Sequence, residues 1–317
     1  MMPQTKGRLQ GMEHIGQVIQ EMMQSNPKFR QRMNDVRNSL ESKPIEILTS
    51  PSDDCPLRKC DGTGWIWVKD WSKRRKKNEN INEMDEWWEK CECYENQVKQ
   101  REIDKKLDLS GIPPIFSQAT VHSFDANRYT KQSDRDTALV AKKAAANFVE
   151  NYAVMKEHGK GLYLYSQVKG SGKTRLASSI ANALVKLHGV DIAFIKSADL
   201  ISQVKKTFGS KETSADEVVK AFREVEVLVV DDLALKGATE FEEGILYDVM
   251  DYRLEHKKST IFTSNVTIPE LEKIYPGGRV NKRINKMAMA INLPEESIRD
   301  QEAENENVEF ENILFGN

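Results

Sequence analysis

Apolar residues recur at three- and four-residue spacing between Met12 and Leu40, at Met12, Ile15, Val18, Ile19 and Met22 and then at Phe29, Met33, Val36 and Leu40. That is the period of a helix with one apolar stripe. Ser25-Asn26-Pro27 interrupts it, with Asn26 suited to an N-cap and Pro27 to a first helical turn, so the pattern predicts two helices. The Met-rich stripe either packs onto its own domain or docks on a partner helix. A charged helical connector is expected over 94–110, and the prolines of Gly111-Ile112-Pro113-Pro114 mark where a new domain begins. Beyond them short apolar runs alternate with helical patterns: strands at 161–166, 190–195, 226–230 and 258–263, and helices at 173–188, 197–208, 214–224 and 240–257. Such alternation predicts crossover units and a mainly parallel sheet covered on both faces, an α/β class. The Glu- and Asn-rich end, 295–317, is expected to fray.

The chain has 317 residues, enough for about two domains. It is 39% hydrophobic and 30% charged, which fits a soluble globular protein. No run approaches the roughly 20 apolar residues that span a bilayer, and the first residues lack the apolar core of a secretion signal, so a cytoplasmic location without a membrane partner is expected. A formal net charge of -2 leaves local basic patches as the only electrostatic route to nucleic acid. The run Lys73 to Lys77 reads as a solvated loop. Lys205, Lys206, Lys211 and Lys220 either line a groove for a nucleic-acid backbone or are ordinary helix charges facing solvent.

The chemistry concentrates in Gln167-Val168-Lys169-Gly170-Ser171-Gly172-Lys173-Thr174, which follows the strand Leu162 to Tyr165. Gly170 and Gly172 let the backbone turn so that successive N–H groups, including that of Ser171, and the positive end of the next helix face phosphate oxygens. Lys173 is then placed for the β and γ phosphates of ATP, and the Thr174 hydroxyl for a Mg2+ ion. Gln167 stands where the first glycine of such a loop is usual, and a side chain there narrows the loop or demands a particular φ. A second strand, Val227 to Val230, runs into Asp231-Asp232. Asp231 is placed to hold Mg2+, and Asp232 either polarises an attacking water or acts as a capping acid. Asp232 is one methylene shorter than the usual Glu, so hydrolysis is expected to be slow. Asn265, at the end of Ile261-Phe262-Thr263-Ser264, is placed to orient water beside the γ phosphate or else terminates a turn.

All four cysteines lie early, as Cys55-x4-Cys60 and Cys91-x-Cys93 around Asp61-Gly62-Thr63-Gly64-Trp65. Glycines after Cys60 permit a tight knuckle, so a four-thiolate zinc site that staples a small domain is expected. Reduced cysteines packed as small apolar residues are the alternative. The Trp residues at 65, 67, 71, 87 and 88 either form an aromatic core beside this cluster or face a partner.

Taken together, Leu109-Ser110-Gly111-Ile112-Pro113-Pro114, the loop through Ala177, Asp231-Asp232-Leu233, Thr263-Ser264-Asn265 and Arg279-Val280-Asn281-Lys282-Arg283-Ile284 resemble the AAA+ ATPases of the DnaC/DnaI-type bacterial and phage helicase loaders. The resemblance spans roughly residues 109–300. It implies a small, mainly helical zinc-binding domain at 1–108 that contacts the helicase, an AAA+ P-loop ATPase domain at 109–300, and an acidic tail at 301–317. It further implies Arg283, or less readily Arg279, as an arginine finger acting on a neighbouring subunit, and Arg299 as a nucleotide-sensing arginine; the alternative is that these arginines are ordinary surface ion-pair partners. Lys236 departs from the pattern, which has a small residue soon after the acids. The activity implied is slow ATP hydrolysis stimulated by assembly or DNA, in a protein that places a hexameric DnaB-type replicative helicase on single-stranded DNA, as a homo-oligomer or on the helicase as template. The alternatives are an IstB-type transposition regulator acting on duplex DNA, a P-loop kinase, and a zinc adaptor with a degenerate ATP fold.

Overall fold

The structure, a computed structural model, is described for residues 21–42, 45–71, 86–207, 214–234, 237–275 and 277–316. Met12 to Ile19, the cations Lys73 to Lys77, Lys211 and Lys236 lie outside the described residues. The chain divides into two compact units, Met1–Arg101 and Glu102–Asn317.

In the first unit, helix α1 (Pro27–Ser42) starts where the sequence predicts. The Asn26 side-chain oxygen accepts from the N–H groups of Lys28 and Phe29 at 3.1 and 3.2 Å, satisfying donors that a helix start leaves open. The unit also holds an antiparallel sheet of three strands that the sequence reading does not include, β1 (Ile45–Ile47), β2 (Trp65–Asp70) and β3 (Glu86–Lys90), in that order. Alternation explains it: Ile66 and Val68 point inward, whereas Trp67 points out and pairs across with Trp88. The inward pair packs against the cysteines and Trp87. Helix α2 (Tyr94–Leu109) follows Cys93.

The second unit is built on a five-stranded parallel sheet in the order β5-β6-β7-β4-β8: β4 (Gly161–Tyr165), β5 (Ile192–Lys196), β6 (Val227–Leu233), β7 (Thr260–Ser264) and β8 (Ala288–Asn292). The helices are α3 (Gln132–Glu150), α4 (Tyr152–Glu157), α5 (Lys173–His188), α6 (Ser197–Lys206), α7 (Ala215–Glu224), α8 (Glu240–Glu255), α9 (Arg279–Met287) and α10 (Ile298–Phe315). This is the α/β arrangement that the alternation predicts. One apolar layer joins Leu162 and Leu164 to Leu176, Ile180 and Phe148; the other joins Tyr163 to Val230, Val249 and Phe262. Leu162 and Leu164 face opposite to Tyr163 because strand side chains alternate. Each fully buried Leu or Phe in these layers contributes about 1.5–3 kcal/mol.

Two features depart from the expected pattern. Helices α3, α4 and α9 and strand β8 carry no counterpart in the sequence reading; α3 opens on polar residues and three of its six buried residues are alanine, a weak apolar signal. The segment expected to fray instead forms the 18-residue helix α10. Its Glu-rich composition suggests disorder, but Glu is a strong helix former and Asp300 in the first turn complements the helix dipole.

Candidate nucleotide site and metal centre

Strand β4 lies inside the sheet, and the chain leaves it for the far edge strand β5 before returning through β6 and β7. The carboxyl ends of β4, β6 and β7 therefore come together where the strand order reverses, the usual place for a ligand in an open α/β sheet. Residues 166–172 turn there. Gly170 and Gly172 take φ of +81° and +93°, a left-handed conformation that side chains oppose. A Cβ on Gly172 would also lie 3.0 Å from both the Phe124 ring and the Tyr129 hydroxyl. Helix α5 begins directly at Lys173, so its free N–H groups face the loop.

Lys173 is buried, and its ammonium donates to Ser166 O at 3.1 Å, Val168 O at 2.7 Å and Ser171 Oγ at 3.2 Å. Burial pushes its pKa down to about 8, opposed by the carboxylates of Glu295, Asp232 and Asp231. Thr174 Oγ1 and Thr263 Oγ1 both donate to Asp231 Oδ1, at 2.9 and 2.6 Å. The second oxygen, Asp231 Oδ2, is buried without a protein partner. Burial raises the Asp231 carboxyl above its ordinary value. A buried carboxylate oxygen aligned by two hydroxyls and left open suits a hard divalent cation, so the residues fit Mg2+.

Asp232 is half-buried in a bulge of β6, where the register against β7 shifts between Val230 and Leu233. Its φ of +54° is a conformation that Asp tolerates better than most residues and that gathers at functional sites. The bend is fixed by Asp232 N donating to Thr263 Oγ1 at 2.9 Å and by Ser197 Oγ donating to Asp232 O at 2.9 Å. Asn265 is half-buried just past β7, whose Ser264 Oγ ties to Leu233 O at 2.8 Å. Arg299 is brought to the loop: a Cβ on Gly170 would meet Arg299 Cβ at 3.0 Å, and Ile298 N donates to Gly170 O at 3.1 Å.

Arg283 sits in a network within this chain. Its Nε donates to Asp251 Oδ1 at 2.7 Å, its Nη2 to the Tyr247 hydroxyl at 2.9 Å, and its guanidinium stacks 4.3 Å from the Tyr247 ring centre. Arg279, one turn earlier, is exposed. Lys205 pairs with Glu242 at 3.0 Å and Lys220 with Glu224 at 3.9 Å, while Lys206 lines a cavity of about 350 Å³ with Lys196, Gln203 and Phe194.

Sequence reasoning missed Thr263, which holds Asp231 and Asp232 together, and Glu295, whose carboxylate accepts from the loop N–H groups of Gln167 and Val168 at 3.1 Å each. Thr263 lay inside a quoted run whose last residue drew the attention. Nothing in the local pattern sets Glu295 apart from the other acids near it.

In the first unit, Cys55, Cys60, Cys91 and Cys93 are buried and their sulfurs all lie within 4.8 Å of one another. Cys55 Sγ is 3.7 Å from Cys93 Sγ and 4.0 Å from Cys91 Sγ, and Cys60 Sγ is 3.5 Å from Cys93 Sγ. A tetrahedron with metal–sulfur bonds of about 2.3 Å has edges of about 3.8 Å, so these spacings fit a zinc-like ion. Gly62 and Gly64 take φ of +92° and +85°, forming the knuckle. The Lys59 N–H donates to Cys55 Sγ at 3.4 Å, a contact that stabilises a thiolate.

A family model described as IstB-like ATP binding protein matches residues 89–304. The replicative helicase loader DnaC of Buchnera aphidicola subsp. Acyrthosiphon pisum is 29% identical over 169 residues, 53% of this chain and 64% of that protein. The chain thus spans less than two thirds of that relative's length. The replicative helicase loader DnaC of Escherichia coli K12 is 26% identical over 192 residues, 61% of this chain and 73% of that protein. Among solved structures, that of DnaI aligns at 26% identity and a TM-score of 0.47 over 57% of this chain and 94% of that one.

Proposed function

The chain belongs to the IstB-like ATP binding protein family, and from that premise we propose that it is an ATP-hydrolysing loader of a hexameric DnaB-type replicative helicase onto single-stranded DNA. The observation that carries the ATPase reading is the convergence of Lys173, Thr174 and the open oxygen of Asp231 at one strand-end crevice. The N–H groups of the loop and of the start of α5 bind the phosphates of ATP, and Lys173 neutralises them. Thr174 and Asp231 hold Mg2+, which when bound withdraws charge from the phosphates. Asp232, fixed in its bulge, orients the attacking water and takes its proton, and Asn265, just past the end of β7, helps to orient that water. Arg299 reads the nucleotide from the same chain, and Arg279 or Arg283 serves a neighbouring site once subunits assemble. The four cysteines hold zinc, which supplies structure rather than chemistry.

Loading is favoured over transposition because the relatives are named helicase loaders. The test is whether the full chain with MgATP deposits a DnaB-type hexamer on circular single-stranded DNA, measured by co-sedimentation. Wild type is expected to raise helicase retention and Lys173→Ala to lose that gain. Equal retention with both proteins would reject the reading.

A further inference from the structure

The chain from Pro294 to Ile298, which enters α10, runs along the phosphate loop and bonds to it at Pro294, Glu295 and Ile298. Ser166 Oγ donates to Pro294 O at 2.8 Å, and the N–H groups of Gln167 and Val168 donate to Glu295 Oε1 and Oε2, each at 3.1 Å. Ile298 N donates to Gly170 O at 3.1 Å, and a Cβ on Gly170 would lie 2.5 Å from Ser297 Oγ. Glu295 is itself held, because its N–H donates to Asp134 Oδ1 at 2.9 Å and Asp134 is only 7% exposed.

A carboxylate that accepts from adjacent backbone N–H groups forms a charge-assisted pair, stronger than ordinary loop hydrogen bonds. The pair falls at the position where this loop lacks its usual glycine. Gln167 is exposed and its φ is not in the left-handed region, so the loop start keeps an ordinary backbone there. The same backbone presents the carbonyls of Ser166 and Val168 to the Lys173 ammonium. Fixing the N–H side of these residues therefore fixes the carbonyl side that cradles Lys173.

We propose that Glu295 is a positioning residue for the phosphate loop: its carboxylate clasps the Gln167 and Val168 N–H groups and holds the loop and Lys173 in the shape that receives a triphosphate. The proposal deepens the ATPase reading and rests on it. Glu295 bonds the backbone N–H groups of the loop rather than the Lys173 ammonium. It acts through the loop, so its loss lowers the population of the competent loop and raises the apparent dissociation constant in proportion.

The test uses the full chain and MgATP with Glu295→Ala and Glu295→Gln. Glu295→Ala is expected to raise KM for ATP about tenfold with kcat within about twofold, because an interaction shared by ground and transition states is removed. Glu295→Gln, which keeps one accepting oxygen, falls between. In parallel, hydrogen exchange without nucleotide is expected to be about tenfold faster at the Gln167 and Val168 amides of Glu295→Ala. An unchanged KM with unchanged amide protection would overturn the proposal. A fall in kcat at constant KM would also overturn it, because that is the signature of lost folded enzyme. A wild-type chain that neither binds nor hydrolyses ATP would reject the ATPase reading instead, and the exchange rates would then decide the clasp alone.

Discussion

The two units are held together by different physics. In the first, the buried side chains around the cysteine cluster, among the described residues, are Ile66 and Val68 alone besides the cysteines, with Trp87 partly buried against them. In the second, two apolar layers sandwich the parallel sheet, and Leu164, Leu176, Val229 and Phe262 are fully buried. An apolar core spreads its stabilisation over many contacts, so the loss of one weakens it without dissolving it. Four sulfurs around a point concentrate it, so the loss of one threatens the unit as a whole. The contrast predicts that order in the first unit follows metal supply once an ion occupies the four sulfurs, while order in the second follows its apolar layers.

The strongest way to break that contrast is to remove the metal. Structural zinc binding is worth about 10–16 kcal/mol in small zinc modules. Chelation, or Cys60→Ser, is therefore expected to abolish the near-ultraviolet signal of the Trp residues, with zinc content falling in parallel, while ATP retention by the second unit persists. Full zinc content in Cys60→Ser would reject the four-thiolate assignment. The converse cut is Leu164→Ala in β4, expected to cost the second unit about 2–5 kcal/mol with zinc content unchanged. Its thermal midpoint measures that cost, and a matched loss of zinc would show that the units are not independent.

Lys173→Ala sharpens the comparison differently, by separating function from stability within one unit. The ammonium is buried and meets carbonyls and a hydroxyl rather than a close carboxylate. Its removal relieves a desolvated charge, so the melting free energy should change by no more than about 1 kcal/mol. ATP affinity, read by filter retention, should fall on the order of a hundredfold, about 3 kcal/mol. Unchanged retention would remove Lys173 from the site.

What could be read from the sequence follows the same division. Four of the five strands of the parallel sheet were legible because they are short apolar runs bounded by turn signals, and the meeting of Lys173, Thr174 and Asp231 at one sheet edge was legible from a strand that empties into a Gly-rich loop and a second strand that ends in acids. Cys55, Cys60, Cys91 and Cys93 were legible as a set. The sheet of the first unit was not, because Trp65-Ile66-Trp67-Val68 is apolar at every position and hides its alternation. Thr263 and Glu295 were not, because each acts through a contact distant in sequence: Thr263 on Asp231, and Glu295 on Gln167. Helix α10 was not, because a Glu-rich composition serves a helix and a disordered tail equally well.

The smallest expected effect tests whether aromatic packing is a second anchor of the first unit. Trp67 and Trp88 stack at 5.3 Å across β2 and β3, yet Trp88 is 56% exposed and lies on the face opposite Ile66 and Val68. A pair of this kind adds about 0.5–1.5 kcal/mol beyond its burial, and exposure places it at the low end. Trp88→Ala should therefore lower the thermal midpoint of the zinc-loaded unit by only a few degrees and leave metal stoichiometry intact. If it instead melts the unit as fully as Cys60→Ser does, the sheet rather than the metal holds that unit, and the contrast between point-like and distributed stabilisation fails.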